Sequence, residues 1–194
     1  VTGSNNADAP TYFDVSDISL SGNRANVLTV KGHAVFVMSG DISVTGNASI
    51  NVASNSSLKI YTQDDVDIGG NGIVNTDMVP RDVYIYGTAP DAADGSGNVV
   101  SSQSIKIHGN GQLSSVVYAP NADVTLNGGG RNGDVMGGVV AFTAAVTGGS
   151  SFHFDEALRE EMMGGGQYTS DSSLELTAET VAAKRIELTK YFRL

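Results

Sequence analysis

Apolar and polar residues alternate along most of the chain in short runs, and the runs are separated by glycine, asparagine and serine. Alternation with a period of two is typical of β-strands, because successive side chains of a strand point to opposite sides. Glycine and asparagine tolerate the positive φ angles that tight corners need. The pattern therefore predicts many short strands that are joined by sharp corners.

One phrase recurs and sets the period of the chain. It consists of an acidic residue, alternating apolar positions and a Gly-Asn corner, and its copies occupy residues 17–23, 41–47 and 65–71. Looser copies begin at Ser104, Asp123 and Thr143. Because short strands precede and follow each copy, the sequence predicts an all-β, single-domain parallel β-helix with about three strands per turn and about five to six turns.

The repeat also predicts which side chains face the core. Ile42 and Val44, Val66 and Ile68, Ile105 and Ile107, and Val124 and Leu126 occupy equivalent positions, and we expect them to stack as one inward ladder. The chain then divides into an N-terminal segment or cap over residues 1–16, the β-helix over 17–158 and a C-terminal tail over 159–194. Residues 11–14 are either a first strand or a lid on the open end of the coil.

The C-terminal tail allows more than one interpretation. A short helix is predicted over residues 156–162, and the glycines at 164–166 end it. Further on, Ile186, Leu188 and Phe192 share one face of an alternating segment, which favours strands that pack along the coil or that are given to a neighbouring molecule. These three residues are the candidates for assembly. One helix over 176–192 stays open, because residues 178–185 are good helix formers.

Composition and charge narrow the classes of function. The 194 residues include 24 glycines and no cysteine, so disulfides and thiolate chemistry are excluded. The net charge of −10 argues against nucleic acid and anionic membranes as partners. No apolar run approaches the ~20 residues of a membrane span. Since the sequence starts at Val1 rather than at methionine, we expect a processed protein or an excised ectodomain.

The one long interruption of the repeat is the loop at residues 87–103. It contains Asp91, Asp94, Ser96 and Asn98, whose oxygen atoms make it a weak calcium candidate, although their spacing does not match the twelve-residue calcium loop. We expect no other cofactor. A solvated loop without a ligand is the simpler interpretation.

Catalytic chemistry has little support in the sequence. Polysaccharide-acting β-helix enzymes need clustered carboxylates, but the positions equivalent to Asp67 are Ser43, Lys106 and Thr125. The histidines, His33, His108 and His153, fall on different turns, and we interpret them as surface or packing residues. We therefore expect no catalytic residues.

Three stretches of the chain resemble a known family. They are residues 116–126, residues 137–140 and the closing Phe-His-Phe-Asp-Glu-Ala-Leu at 152–158. With the repeated Gly-Asn corners, they are similar to the C-terminal β-helical domain of unknown function in bacterial surface proteins, including PilX-like, pilin-type proteins. Polymer-forming β-helices of the bactofilin type are similar more distantly. The resemblance implies an extracellular or cell-surface location and a structural or adhesive role, and it implies no catalytic residues.

Three functions follow from these observations. The first is a non-enzymatic structural module of a bacterial surface or extracellular assembly, which self-associates or decorates a pilus-like fibre. The second is an adhesion or glycan-binding module that uses the 87–103 loop or a lateral face. An exposed row of aromatic residues would favour it, and Tyr61, Tyr84, Tyr86 and Tyr118 are the candidates. A polysaccharide-acting enzyme is the third and the least supported.

Overall fold

A parallel β-solenoid of about five turns, with three-strand rungs, forms the body of the chain. The structure, a computed structural model, describes residues 1–22, 26–109, 113–128, 135–148 and 151–158. The predicted fold class is confirmed. The assembly candidates Ile186, Leu188 and Phe192 lie outside the described residues, as does most of the helix predicted over 156–162.

The strands of the first turns lie on three sides of the coil, which we call the first, second and third sides. The first side consists of β1 (Thr11–Val15), β4 (His33–Met38), β7 (Ser57–Thr62) and β10 (Val83–Gly87). The second consists of β2 (Ile18–Leu20), β5 (Ile42–Val44), β8 (Val66–Ile68) and β13 (Gln103–Gly109). The third consists of β3 (Val27–Val30), β6 (Ser49–Val52) and β9 (Ile73–Asn75). Neighbouring strands on each side pair in parallel.

Two connections between these strands depart from the simple repeat. A 3-10 turn, Pro80–Asp82, lies between β9 and β10. The long interruption after β10 contains a small antiparallel hairpin of β11 (Ala92–Ala93) and β12 (Val99–Val100). The hairpin forms its own two-stranded sheet, apart from the sheets of the coil.

The last two turns are built from long strands rather than from the three short strands that the repeat predicts. β14 (Leu113–Gly128) pairs first with β10 on the first side and then with β13 on the second. β15 (Val135–Gly148) follows β14 along both sides, and the register shifts between Ala119 and Asp123. Pro120 lies at this corner between the first and second sides, and the extended backbone continues through it. β16 (Phe152–Phe154) pairs with the start of β15.

The core is the predicted inward ladder. Strand register stacks Ile42 on Val66, Ile105 and Val124, and it stacks Val44 on Ile68, Ile107 and Leu126. Each of these eight side chains is at most 3% exposed. Burying an aliphatic side chain of this size stabilises a fold by about 1.5–3 kcal/mol. The ladder therefore runs unbroken from the second turn to β14.

The acidic residue and the glycine of the repeat each make a specific contact with a neighbouring turn at the corners of the coil. Asp17 and Asp65 each accept a hydrogen bond from a backbone N–H of the next turn, at Asp41 (3.1 Å) and Ser104 (2.8 Å). Gly46 has a φ of +69°, and a Cβ there would lie 2.6 Å from the Gly22 carbonyl oxygen. The aspartates thus tie neighbouring turns together, and the glycine lets them approach closely.

The N-terminal residues belong to the coil. β1 pairs in register with β4, so residues 11–15 form a first strand rather than a lid. Phe13 packs edge-on against Phe36, with ring centroids 5.8 Å apart. Isolated bridges join Thr2 to Lys31 and Ser4 to His33. Residues 2–4 therefore cover the backbone of the first turn at Lys31 and His33, between β3 and β4.

Candidate functional site

A row of tyrosines lies on the outer surface of the first side. Tyr61 on β7 is opposite Tyr86 on β10, and Tyr86 is opposite Tyr118 on β14. Tyr84 is two positions before Tyr86 and points the same way. Their inward neighbours Ile60 and Ile85 are fully buried, which directs the tyrosines outward. The structure thus brings all four predicted tyrosines together on one lateral face.

The tyrosine rings contact one another closely. The rings of Tyr61 and Tyr86 are stacked, with centroids 4.6 Å apart and planes within 9° of parallel. Tyr84 and Tyr86 are also stacked, at 5.5 Å and 5°. Parallel rings at such distances are too close to lie side by side in one plane, so their faces cover each other and their edges face outward. Tyr118 is tilted by 55° relative to Tyr86, at 6.4 Å, and is 44% exposed.

Other side chains extend this face toward the first turn. The Lys59 ammonium lies 5.7 Å from the centroid of the Tyr84 ring, within the range of a cation–π contact. Tyr12 on β1 is 62% exposed. Burial raises the pKa of the Tyr61 phenol above its ordinary value, and the negative charge of an ionised Tyr12 raises it further. The face therefore combines an amphipathic aromatic cluster with one cation.

Apolar side chains continue the face toward the last turn. Val140 on β15 is opposite Tyr118 and is 40% exposed, and Phe142 is 42% exposed. Sequence reasoning missed both residues. Their signal was an apolar residue at an outward position of an alternating strand, and for Val140 the equivalent positions of the two preceding turns are Tyr118 and Tyr86. We call the surface of Tyr61, Tyr84, Tyr86, Tyr118, Val140 and Phe142 the tyrosine face. Contiguous exposed apolar surface of this kind marks interaction sites in many proteins.

The second side presents a different outer surface. Strand register places Ser43, Asp67, Lys106 and Thr125 in one row, which confirms the predicted equivalence of these positions. His108 Nε2 lies 2.6 Å from Asp67 Oδ1, and both side chains are about half exposed, at 49% and 55%. The sequence offered no signal for this pair, because the insertion puts the partners 41 positions apart.

Asp67 is the one carboxylate among these four positions, so the row does not supply the pair of carboxylates that glycoside hydrolysis uses. Within the described ranges, no three His, Asp or Glu side chains are grouped to hold a metal ion. His33 Nδ1 lies 2.9 Å from the Ser57 hydroxyl on the next turn. His153 lies on β16 and is exposed.

The calcium candidates fall at the hairpin of β11 and β12. Asp94 Oδ1 accepts hydrogen bonds from the N–H groups of Ser96 (2.8 Å) and Asn98 (2.9 Å), and Oδ2 accepts one from the Asn98 amide (2.9 Å). These bonds hold the pKa of the Asp94 carboxyl below its usual value. Asp91 accepts a hydrogen bond from the Asn121 amide, at 2.9 Å. The structure thus brings Asp94, Ser96 and Asn98 together as a turn, and calcium there stays a prediction.

Comparison with known proteins identifies a family. A domain of unknown function, DUF7305, matches residues 1–161. No curated protein and no solved structure matches the chain. Among the described residues there is no helix with the length and apolar character needed to cross a membrane. The resemblance to a β-helical domain of unknown function is confirmed at that level, whereas the pilin-type and bactofilin-type affiliations stay predictions. By its match over most of its length, the chain belongs to the DUF7305 family.

Proposed function

We propose that the chain is a non-enzymatic binding module of a bacterial surface or extracellular assembly, and that its tyrosine face binds a neutral glycan. One observation carries this proposal: four tyrosines and Val140 lie at neighbouring outward positions on one side of a regular coil, and Phe142 is exposed two positions after Val140. The coil does not need these side chains for its core, since the inward rows alone fill it.

The chemistry of the face suits a sugar polymer. A tyrosine ring offers an apolar body to the C–H groups of a sugar and a hydroxyl to its polar rim. The tilted, exposed ring of Tyr118 presents a face for stacking, because it lies outside the parallel stack. The net charge of −10 disfavours an acidic polysaccharide, which leaves a neutral one as the better partner.

Two observations favour the lateral face over the 87–103 loop as the binding surface. The Asp94 carboxylate in the loop already accepts three hydrogen bonds from its own turn. The loop also places no aromatic side chain beside another, because residues 87–103 contain none.

Binding to immobilised polysaccharides tests the proposal. We expect the protein to bind at least one neutral glycan in a panel of neutral and acidic polymers, and Tyr118→Ala to weaken that binding by about tenfold. Thr125→Ala, on the outer row of the second side, is the matched control and should leave binding unchanged. Absence of binding to every neutral glycan, or equal losses in both variants, would contradict the proposal.

Self-association and decoration of a pilus-like fibre form a second candidate function. The observation that favours it is that β1 and β2 each pair with a described strand on one side only. Such edges are templates for strands of other molecules. Analytical ultracentrifugation of the purified protein tests this candidate, and a single monomeric species at all concentrations would argue against it.

A further inference from the structure

Outward side chains of the first side form a row that runs along the coil. Strand register places each of them beside the next on the neighbouring strand. Because neighbouring strands of a sheet lie roughly 4.7–4.9 Å apart, the row repeats at that interval along the long axis. Beyond Val37 the next position is the acidic Asp14 on β1, where the row of apolar and aromatic side chains ends. We call it the axial row, and its members are Val37, Tyr61, Tyr86, Tyr118 and Val140.

The axial row is uncharged at neutral pH over its whole length, because its members are valines and tyrosines. On the second side, by contrast, the outer row places Asp67 beside Lys106. A parallel row flanks the axial row two positions earlier on the same strands, and Lys59 is its one member with a charge at neutral pH. A ligand that follows the axial row therefore meets no charged side chain within the row itself. The members of the flanking row are Val35, Lys59, Tyr84 and Val116.

Two kinds of surface follow each other along the axial row. At Tyr61 and Tyr86 the rings are parallel, so their edges face outward. At Tyr118 the ring is tilted by 55° relative to Tyr86 and is exposed, and the exposed Val140 lies beyond it. A phenol hydroxyl donates and accepts hydrogen bonds, whereas a ring face and a valine offer apolar contact. A ligand that spans the row must therefore present both hydroxyl groups and C–H groups along its length.

The spacing of the axial row selects among neutral sugar polymers. In a β-1,4-linked chain, such as one of glucose, the sugars form a nearly straight ribbon, and each sugar advances the chain by about the distance between two neighbouring strands. Hydroxyl groups line the edges of that ribbon, and C–H groups cover its faces. An α-1,4-linked or β-1,3-linked chain curves into a helix instead, so it leaves a straight row after a short stretch.

We propose that the neutral glycan of the tyrosine face is a β-1,4-linked chain that lies parallel to the coil axis. One sugar lies over each of four neighbouring strands, at Tyr61, Tyr86, Tyr118 and Val140. This inference rests on the proposed binding of a neutral glycan, and it adds the linkage and the orientation of the chain. A chain laid across the strands would meet only Tyr84 and Tyr86 on β10, whereas the axial direction offers a contact on every strand.

Oligosaccharides of equal length but different linkage test the linkage. Isothermal titration calorimetry compares β-1,4-linked tetrasaccharides of glucose, mannose and N-acetylglucosamine with the α-1,4-linked and β-1,3-linked tetrasaccharides of glucose. We expect at least one β-1,4-linked tetrasaccharide to bind about tenfold more tightly than the α-1,4-linked and β-1,3-linked ones, because only a straight chain keeps every contact along the row.

The other results separate this inference from the proposed function. Equal or tighter binding of an α-1,4-linked or β-1,3-linked tetrasaccharide overturns the inference, and the proposed function stands if Tyr118→Ala weakens that binding. Binding of a neutral polysaccharide without binding of any β-1,4-linked tetrasaccharide overturns the inference in the same way. Absence of binding to every neutral polysaccharide overturns both.

Chain length tests the orientation. With one sugar over each of four strands, the affinity should rise from the disaccharide to the tetrasaccharide and change little beyond it. Val140→Ala truncates the contact at the end of the row and should lower the affinity for the tetrasaccharide by about threefold. Val74→Ala is the matched control, because Val74 on the third side is similarly exposed, at 43%, and its truncation should leave binding unchanged. Equal effects of the two variants, or an affinity that does not rise beyond the disaccharide, would overturn the axial orientation.

Discussion

The first and second sides of the coil share one backbone and differ in what they present to solvent. Ile60 on the first side and Ile68 on the second are both fully buried. Outward, however, the first side presents Tyr61 and Tyr86, whereas the second presents Ser43 and Asp67. The inward rows hold the turns together on both sides, so the outward rows are free to differ. A surface for a partner can therefore be placed on one side without a change in the fold.

The largest expected effect is a loss of stability, and it tests whether the buried residues of the two sides contribute equally to the fold. Ile60→Ala and Ile68→Ala each remove buried methyl groups, and we expect each to lower the free energy of unfolding by about 2–5 kcal/mol. Urea unfolding followed by circular dichroism measures both. If one substitution lowers the free energy of unfolding much less than the other, the two sides do not contribute equally to stability.

A smaller effect is expected from the outer rows, and it should differ between the sides. Tyr86→Ala removes the central ring of the stack and should lower the free energy of unfolding by about 1–2 kcal/mol. Ser43→Ala on the second side should stay within about 0.5 kcal/mol of the unchanged protein. The same urea titration compares them. Equal decreases in the free energy of unfolding for the two variants would show that the stacked tyrosines add no stability.

Alkaline pH should act on the first side through Tyr61. Its pKa is raised above the ordinary value of 10.0, chiefly because burial disfavours the phenolate. The neutral phenol is therefore favoured by folding, and this contribution is complete below pH 10.0 and is lost as the pH rises through the raised pKa. Tyr61→Phe should remove that loss. Thermal unfolding at a series of alkaline pH values measures this loss of stability. An identical loss in Tyr61→Phe would show that another group causes it.

The smallest effect is expected at a corner that belongs to neither outer row. Asp77 accepts hydrogen bonds from the Ser54 hydroxyl and from the Asn55 N–H, which hold its pKa below the ordinary 3.8. Asn55 has a φ of +54°, so the carboxylate stabilises a strained corner. This contribution is present above pH 3.8 and is lost as the pH falls through the lowered pKa.

Asp77→Asn should therefore flatten the decline of stability in acid. Carboxyl chemical shifts measured by NMR across the acidic range give the titration directly. A normal titration of Asp77 in the unchanged protein would show that the corner does not depend on its charge.

The ladder could be predicted from the sequence because a slip of one residue would turn every inward side chain outward. Ile42, Val66 and Ile105 therefore determine their own register, and with it the equivalence of Ser43, Asp67 and Lys106. The sequence also named the four tyrosines as candidates for an exposed aromatic row, and the structure brings them together.

Other features depend on contacts that no period encodes. The extended backbone of β14 continues through the corner at Pro120, whereas the repeat predicts separate short strands before and after this corner. The pairing of His108 with Asp67 crosses the insertion, which breaks the 24-residue spacing on which the repeat argument depends. The stacking of Tyr61 on Tyr86 is set by side-chain rotamers, and alternation says nothing about them.

The direction of the backbone hydrogen bonds has a mechanical consequence. In a parallel coil these bonds run from one turn to the next, along the long axis, on every side. A force that pulls the two ends of the chain apart loads them turn by turn, because each turn is held chiefly by its neighbours. Under tension the turns should therefore detach one after another in small steps, and the molecule should not unfold in a single cooperative event.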